Sequence, residues 1–255
     1  MKLKEQVAIV VGSSRGIGKA IAKGFAREGA RVVVAARTET ANPRLPGTIY
    51  QTAEEIRAAG GIALPVRCDV TMEETIEAMV NTVMKEFGGI DILVNDCAIS
   101  PLGGLLDLPI KHFDLTWMVN FRGYYLCSRF VIPRMIERGG GSLINITNNL
   151  AVSRAPTLMI ASAIAKAAVE RLTYALADEV GKYNIAVNGL KPRGPVQSEG
   201  MDFLPSHGDK SRWEPPDMMV KAAIFLAQQR AKNGISGTIT SDEVLLLSHG
   251  QLSCI

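Results

Sequence analysis

Residues 7–29 read VAIVVGSSRGIGKAIAKGFAREG. Five apolar residues, Val7–Val11, run without alternation into Gly12, as a buried parallel strand would. A helix is expected over Gly16–Glu28. The glycines between them fall as G-x-x-x-G-x-G. Gly12 permits a tight turn, Gly16 lets the backbone approach a ligand closely, and Gly18 lets helix and strand pack together. The first N–H groups of such a helix have no partner within it and attract anions. The stretch therefore reads as a phosphate cradle at a first β–α turn, with Gly12, Ser14, Arg15, Gly16, Ile17 and Gly18 as cofactor contacts. A plain Gly-rich turn is the bland alternative.

The same alternation continues outward. Further strands are expected at Arg31–Ala36, Ala63–Arg67, Ile92–Asn95, Ser142–Thr147, Ile185–Leu190 and Thr238–Ser241. Helices are expected at Tyr50–Ala59, Met72–Phe87, Ile110–Glu137, Leu158–Gly181 and Pro216–Gln228. Thr71 and Glu74 have capping-box spacing for the third helix. With right-handed crossovers, this pattern gives an α/β fold. It is a single doubly wound Rossmann-type domain over residues 1–255, with a seven-stranded, mostly parallel sheet and helices on both faces. Two stretches resist assignment: Thr38–Thr48 as a surface loop, and Lys191–Glu214 as a substrate lid. The second strand ends at Arg37, where an NAD site would hold a carboxylate for the ribose. Arg37, with Arg15 beside it, suits a 2′-phosphate and favours NADP(H) over NAD. Two solvated surface arginines are the other reading.

Bulk composition narrows the class. The 255 residues are 47% hydrophobic and 21% charged, with a formal net charge of +3. The Lys and Arg residues are scattered, so a nucleic-acid partner is not expected. Cys68, Cys97, Cys127 and Cys254 have no C-x-x-C spacing and read as free thiols, with no metal site. No apolar run is long enough to span a membrane. MKLKEQVAIVVG stops too soon for a signal peptide. A cytoplasmic location is the default.

The glycine spacing and chain length resemble the short-chain dehydrogenase/reductase family. Further matches follow in order: Asp69-Val70, Asn95-Asp96-Cys97-Ala98, Asn120 in MVNFRGYY, Lys166, Pro192-Arg193 and Ile235-Ser236-Gly237. The resemblance implies adenine contacts from Asp69 and Val70, and cofactor contacts from Asn95, Lys166 and Pro192. It implies a proton relay through Asn120 and Lys166. Residues 36–65, ARTETANPRLPGTIYQTAEEIRAAGGIALP, resemble the hydroxysteroid dehydrogenase-like branch, whose Gly47-Thr48-Ile49-Tyr50 is unusual in the wider family. The animal member of that branch carries a sterol-carrier domain, which is not expected within these 255 residues. The resemblance also implies a homodimer or homotetramer through the helices at Ile110–Glu137 and Leu158–Gly181.

The sequence departs from the family where the chemistry lies. A tyrosine is expected four residues before the lysine, and this chain has Ser162. No tyrosine in the chain has a lysine at its fourth following position, and Ala163-Ile164-Ala165-Lys166 fits the branch, so the register holds. At the family's serine position stands Asn148, with Thr147 next to it. An aliphatic hydroxyl is shorter and far less acidic than a phenol, and losing a positioned acid lowers a rate by about 10²–10⁴. Catalytic candidates are Asn120, Asn148, Ser162 and Lys166. Four readings stay open: an NADP(H)-dependent oxidoreductase on a carbonyl or alcohol with an altered relay, a non-redox enzyme reusing the cleft, an NADP(H)-binding sensor, or a laboratory substitution at Ser162. Met201, Phe203, Leu204 and Trp213 in the lid suggest an apolar small-molecule substrate.

Overall fold

The structure, a computed structural model, describes residues 1–43, 45–154, 158–202 and 210–252, without the side chains of residues 201 and 202. Seven parallel strands form one sheet: β1 Val7–Val11, β2 Arg31–Ala36, β3 Ile62–Arg67, β4 Ile92–Asn95, β5 Gly141–Ile146, β6 Ile185–Lys191 and β7 Ile239–Ser241. Their spatial order is β3-β2-β1-β4-β5-β6-β7, and every pairing is parallel. The order reverses between β1 and β4, so the connections leaving these two strands diverge and open a crevice at their carboxyl ends. Alternate residues of one strand serve two cores. Ala8 and Val10 join the layer built on Ile21, Phe25, Met219 and Leu226. Val7, Ile9 and Val11 join the layer built on Met79, Val83, Val131 and Met135. Both faces are covered, which explains the unbroken apolar runs.

The helices are α1 Gly16–Arg27, α2 Ile49–Ala58, α3 Glu73–Phe87, α4 Ile110–Trp117, α5 Gly123–Arg138, α6 Ile160–Val180, α7 Glu199–Asp202, α8 Asp217–Ala227 and α9 Asp242–Ser248. Three findings differ from the sequence expectations. Thr71 and Glu74 form no capping box: α3 has no side-chain cap, and the Thr71 hydroxyl donates instead to the Asp69 carboxylate at 2.7 Å. Asp69 also accepts the Thr71 N–H at 3.0 Å, so a local turn captures the residue before it can cap. The long helix expected from Ile110 is broken by a π-helical turn at Met118–Arg122, between α4 and α5. Lastly, α9 was not foreseen. The Ser241 hydroxyl accepts the Val244 N–H, while Leu245 and Leu246 are buried. Residues 38–43 and 45–48 belong to the expected loop.

Candidate functional site

At the switch point, Gly12 has φ +92°, and a Cβ there would stand 2.7 Å from the Cys97 nitrogen. A Cβ on Gly18 would meet the Gly12 carbonyl at 2.7 Å and the Asp96 carboxylate at 2.8 Å. Glycine is thus demanded by space at both places, as the sequence reading supposed. The loop opens on a cavity of about 340 Å³. Gly12, Ser14, Arg15, Gly16, Ile17, Arg37, Asp69 and Val70 all line it, joined by Asp96, Cys97, Cys68, Ser198 and Gly200. Gly18, Asn95, Asn120, Asn148, Ser162, Lys166 and Pro192 do not line it.

The branch signature acquires a physical account here. Gly47 has φ +104°, and its Cβ position lies 2.5 Å from the Ser14 carbonyl, so the 38–48 loop presses directly on the phosphate loop. Arg15 donates to the carbonyls of Pro46 and Gly47, both at 3.0 Å. Thr48 caps α2 by accepting the Gln51 N–H, and Ile49 is fully buried. The Tyr50 phenol donates to Glu39 at 2.8 Å, and Glu39 pairs with Arg67. Burial lowers the pKa of Arg15, opposed by the charge of Glu199, while the charge of Arg37 acts in the same direction as burial. Two guanidinium groups thus act on each other beside a cavity, without a carboxylate at the end of β2.

The relay candidates gather behind this cavity. Asn120 sits in the π-helical turn, fully buried. Its amide bridges the Ile99 N–H and carbonyl, each at 2.8 Å, and its Nδ2 lies 3.5 Å from Ser162 Oγ. The Ser100 hydroxyl also donates to Ser162, at 3.3 Å. Lys166 follows one helical turn after Ser162 and donates to Tyr124 Oη at 2.7 Å and to the Ile146 carbonyl at 2.6 Å. Its ammonium also lies 4.5 Å from the Tyr124 ring centre. Burial lowers the pKa of Lys166 to about 8, opposed by the charge of Asp96. Burial likewise raises that of Asp96 to about 7, opposed by Lys166 and by a hydrogen bond from the Gly18 N–H. Asn148 spends its side-chain oxygen on the Leu150 N–H, and Thr147 points to Glu170 at 3.1 Å. Asn95 is held within the sheet, its amide donating to Asn145 at 3.0 Å. The Pro192 carbonyl accepts from Asn149 at 3.2 Å.

Residues outside the sequence candidates stand out. Tyr124, on α5 just beyond the π-helical turn, accepts from the Lys166 ammonium on α6, a contact that joins two elements. Asp96 follows Asn95 at the carboxyl end of β4, where an acid beside a phosphate cradle is itself a signal. Cys68 and Cys97 line the cavity, but burial pushes both thiols up to about 12, so neither is a nucleophile at neutral pH. The three described cysteines Cys68, Cys97 and Cys127 are free. Trp213 is buried, and Phe203 and Leu204 lie outside the described residues.

The profile of the short chain dehydrogenases matches residues 6–206. The chain belongs to that family. Hydroxysteroid dehydrogenase-like protein 2 of Bos taurus is 39% identical over 252 residues, 98% of this chain and 59% of the relative. The chain thus spans about three fifths of the length of the curated relatives it matches, and it lies close to the hydroxysteroid dehydrogenase-like branch. Among solved structures, a 7α-hydroxysteroid dehydrogenase complexed with NADH and 7-oxo glycochenodeoxycholic acid superposes with a TM-score of 0.81 at 30% identity, covering 94% of this chain and 93% of the other. A gluconate 5-dehydrogenase from Burkholderia cenocepacia, in complex with NADP and tartrate, gives 0.81 at 28% identity, over 94% of each chain. Among the described residues, no helix is long and apolar enough to cross a membrane.

Proposed function

We propose that this short-chain dehydrogenase family member binds NADP(H) and acts as an oxidoreductase on a carbonyl or alcohol, through a relay in which Ser162 stands for the tyrosine. The observation that carries the cofactor choice is the pair Arg15 and Arg37 beside the cavity, with Arg15 fixed by the carbonyls of Pro46 and Gly47. The nicotinamide supplies or accepts the hydride when bound. The cradle at Gly12–Gly18 would hold the pyrophosphate, and Asp69 with Val70 the adenine. Lys166 holds a positive charge deep behind Ser162, which favours the oxyanion form of a nearby oxygen. Ser162 accepts from Ser100 and Asn120, so its own proton is free to be donated. Exposed Leu105 and Leu106 follow Gly103, which bridges to Met159 just before α6. Their position supports an apolar substrate. Exposed Trp117, Tyr125, Ile164 and Tyr174 on α4, α5 and α6 support a homodimer or homotetramer.

A second reading is a protein that binds NADP(H) without turnover. The Lys166 ammonium is shared between Tyr124 and Ile146 in a buried setting, which favours a relay that no longer runs. Fluorescence titration of the purified chain with NADPH and NADH tests what both readings share. Micromolar binding of NADPH with much weaker binding of NADH is expected. Absence of binding by either nucleotide would exclude both and leave a non-redox use of the cleft.

A further inference from the structure

The cradle contains a negative charge supplied by the chain itself. Helix α1 begins without a side-chain cap, and its first turn has no acidic residue. The N–H of Gly16 nevertheless has a partner, the Glu199 carboxylate at 2.8 Å, contributed from 183 residues away. The contact is close on all sides: a Cβ on Gly16 would lie 3.3 Å from Ser198 Cβ, and Ser198 and Gly200 line the same cavity as Gly12 and Arg15. Upstream of Glu199, the segment is tied down. Gln197 and Glu214 share a backbone ladder with Pro195, and Arg193 pairs with Glu214 and Glu243. A half-buried carboxylate is therefore delivered by a braced segment onto a helix terminus that attracts anions.

We infer that Glu199 is an internal competitor for the dinucleotide's phosphates, a residue that sets cofactor affinity by occupying the cradle until ligand displaces it. The inference rests on the reading of this cleft as a dinucleotide site. Two anions cannot share the Gly16 N–H at hydrogen-bonding distance, and each repels the other in a half-buried setting. Binding then requires the carboxylate to leave, which weakens affinity by the strength of the contact it gives up. The same displacement would move the segment at 199–202 as nucleotide arrives.

The test compares the whole chain with Glu199→Gln, Glu199→Ala and the control Glu54→Gln, an exposed position on α2 that changes net charge equally. Each is titrated with NADPH, NADH and inorganic pyrophosphate at one fixed ionic strength. Both Glu199 variants are expected to bind NADPH and pyrophosphate about tenfold more tightly, the scale of one charged hydrogen bond at a helix terminus. The control is expected to stay within about twofold, as a screened surface charge. Unchanged or weaker binding by the Glu199 variants, with NADPH still binding the parent chain, overturns the inference and leaves the cofactor reading intact. An equal gain in the control overturns it too, since the effect would then be bulk charge. Absence of nucleotide binding in every form removes the cofactor reading and the inference together.

Discussion

At Ser162 the family's phenol is reduced to a hydroxymethyl group, while the residues that would serve the phenol persist. Asn120 and Ser100 still point at this position, and Lys166 lies one helical turn further along α6. Ser162→Tyr should therefore raise NADPH-dependent carbonyl reduction by about 10²-fold or more, since general acid catalysis contributes on that scale. Steady-state NADPH oxidation with a panel of carbonyl compounds reads this directly. A variant that folds, binds NADPH and shows no gain would point to Asn148 or to Lys166's bond with Tyr124 as the remaining block. Asn120 falls in a π-helical turn that no periodicity announces, whereas the positions of Ser162 and Lys166 on one helix were legible. Tyr124 was not, because its contact with Lys166 arises from α5 packing against the end of β5. Adjacency in sequence does not encode that contact. Glu199 was hidden for the same reason, its partner being the distant Gly16.

Element boundaries show how local chemistry overrides a motif. The Thr71–Glu74 spacing was sound, yet Asp69, two residues earlier, offered Thr71 a nearer acceptor. The π-helical turn that carries Asn120 has no periodic signature, and α9 is only seven residues long, so its Ser-Asp-Glu start was the one usable clue. By contrast Thr48 behaves as its position promises. It accepts the Gln51 N–H at 3.0 Å and begins the helix that follows the Arg15 clamp. Thr48→Ala should lower unfolding stability by about 1 kcal/mol, the usual scale of a lost N-cap. It should also weaken NADPH binding more than NADH binding, because the loop ending at Gly47 orients Arg15. Urea denaturation and paired titrations measure the two effects. A stability loss with an unchanged NADPH-to-NADH ratio would separate the cap from the clamp.

For the whole molecule, the doubly wound, seven-stranded sheet was readable because unalternating apolar runs demand cover on both faces, and few connections provide it; the spatial order of the strands comes from the structure. Association is the less legible part, since an exposed apolar face looks like any other helix in sequence. If α4, α5 and α6 meet a second copy, Ile164→Glu should shift light-scattering mass to a single protomer, and a monomeric parent chain would count against the assembly. Stability against pH tests Asp96 and Lys166, whose charges act on each other near the switch point. Burial raises the pKa of Asp96 from 3.8 to about 7. Between those values the folded chain holds the proton that the unfolded chain releases, so stability declines as pH rises toward 7. Burial lowers the pKa of Lys166 from 10.5 to about 8, so in that window the unfolded chain binds the extra proton and stability recovers as pH rises. Asp96→Asn keeps the shape and an acceptor for the Gly18 N–H while removing the titrating carboxylate. Its urea midpoint should therefore fall less than that of the parent between pH 5 and 7.5. Parallel falls in the two proteins would place the titrating group elsewhere.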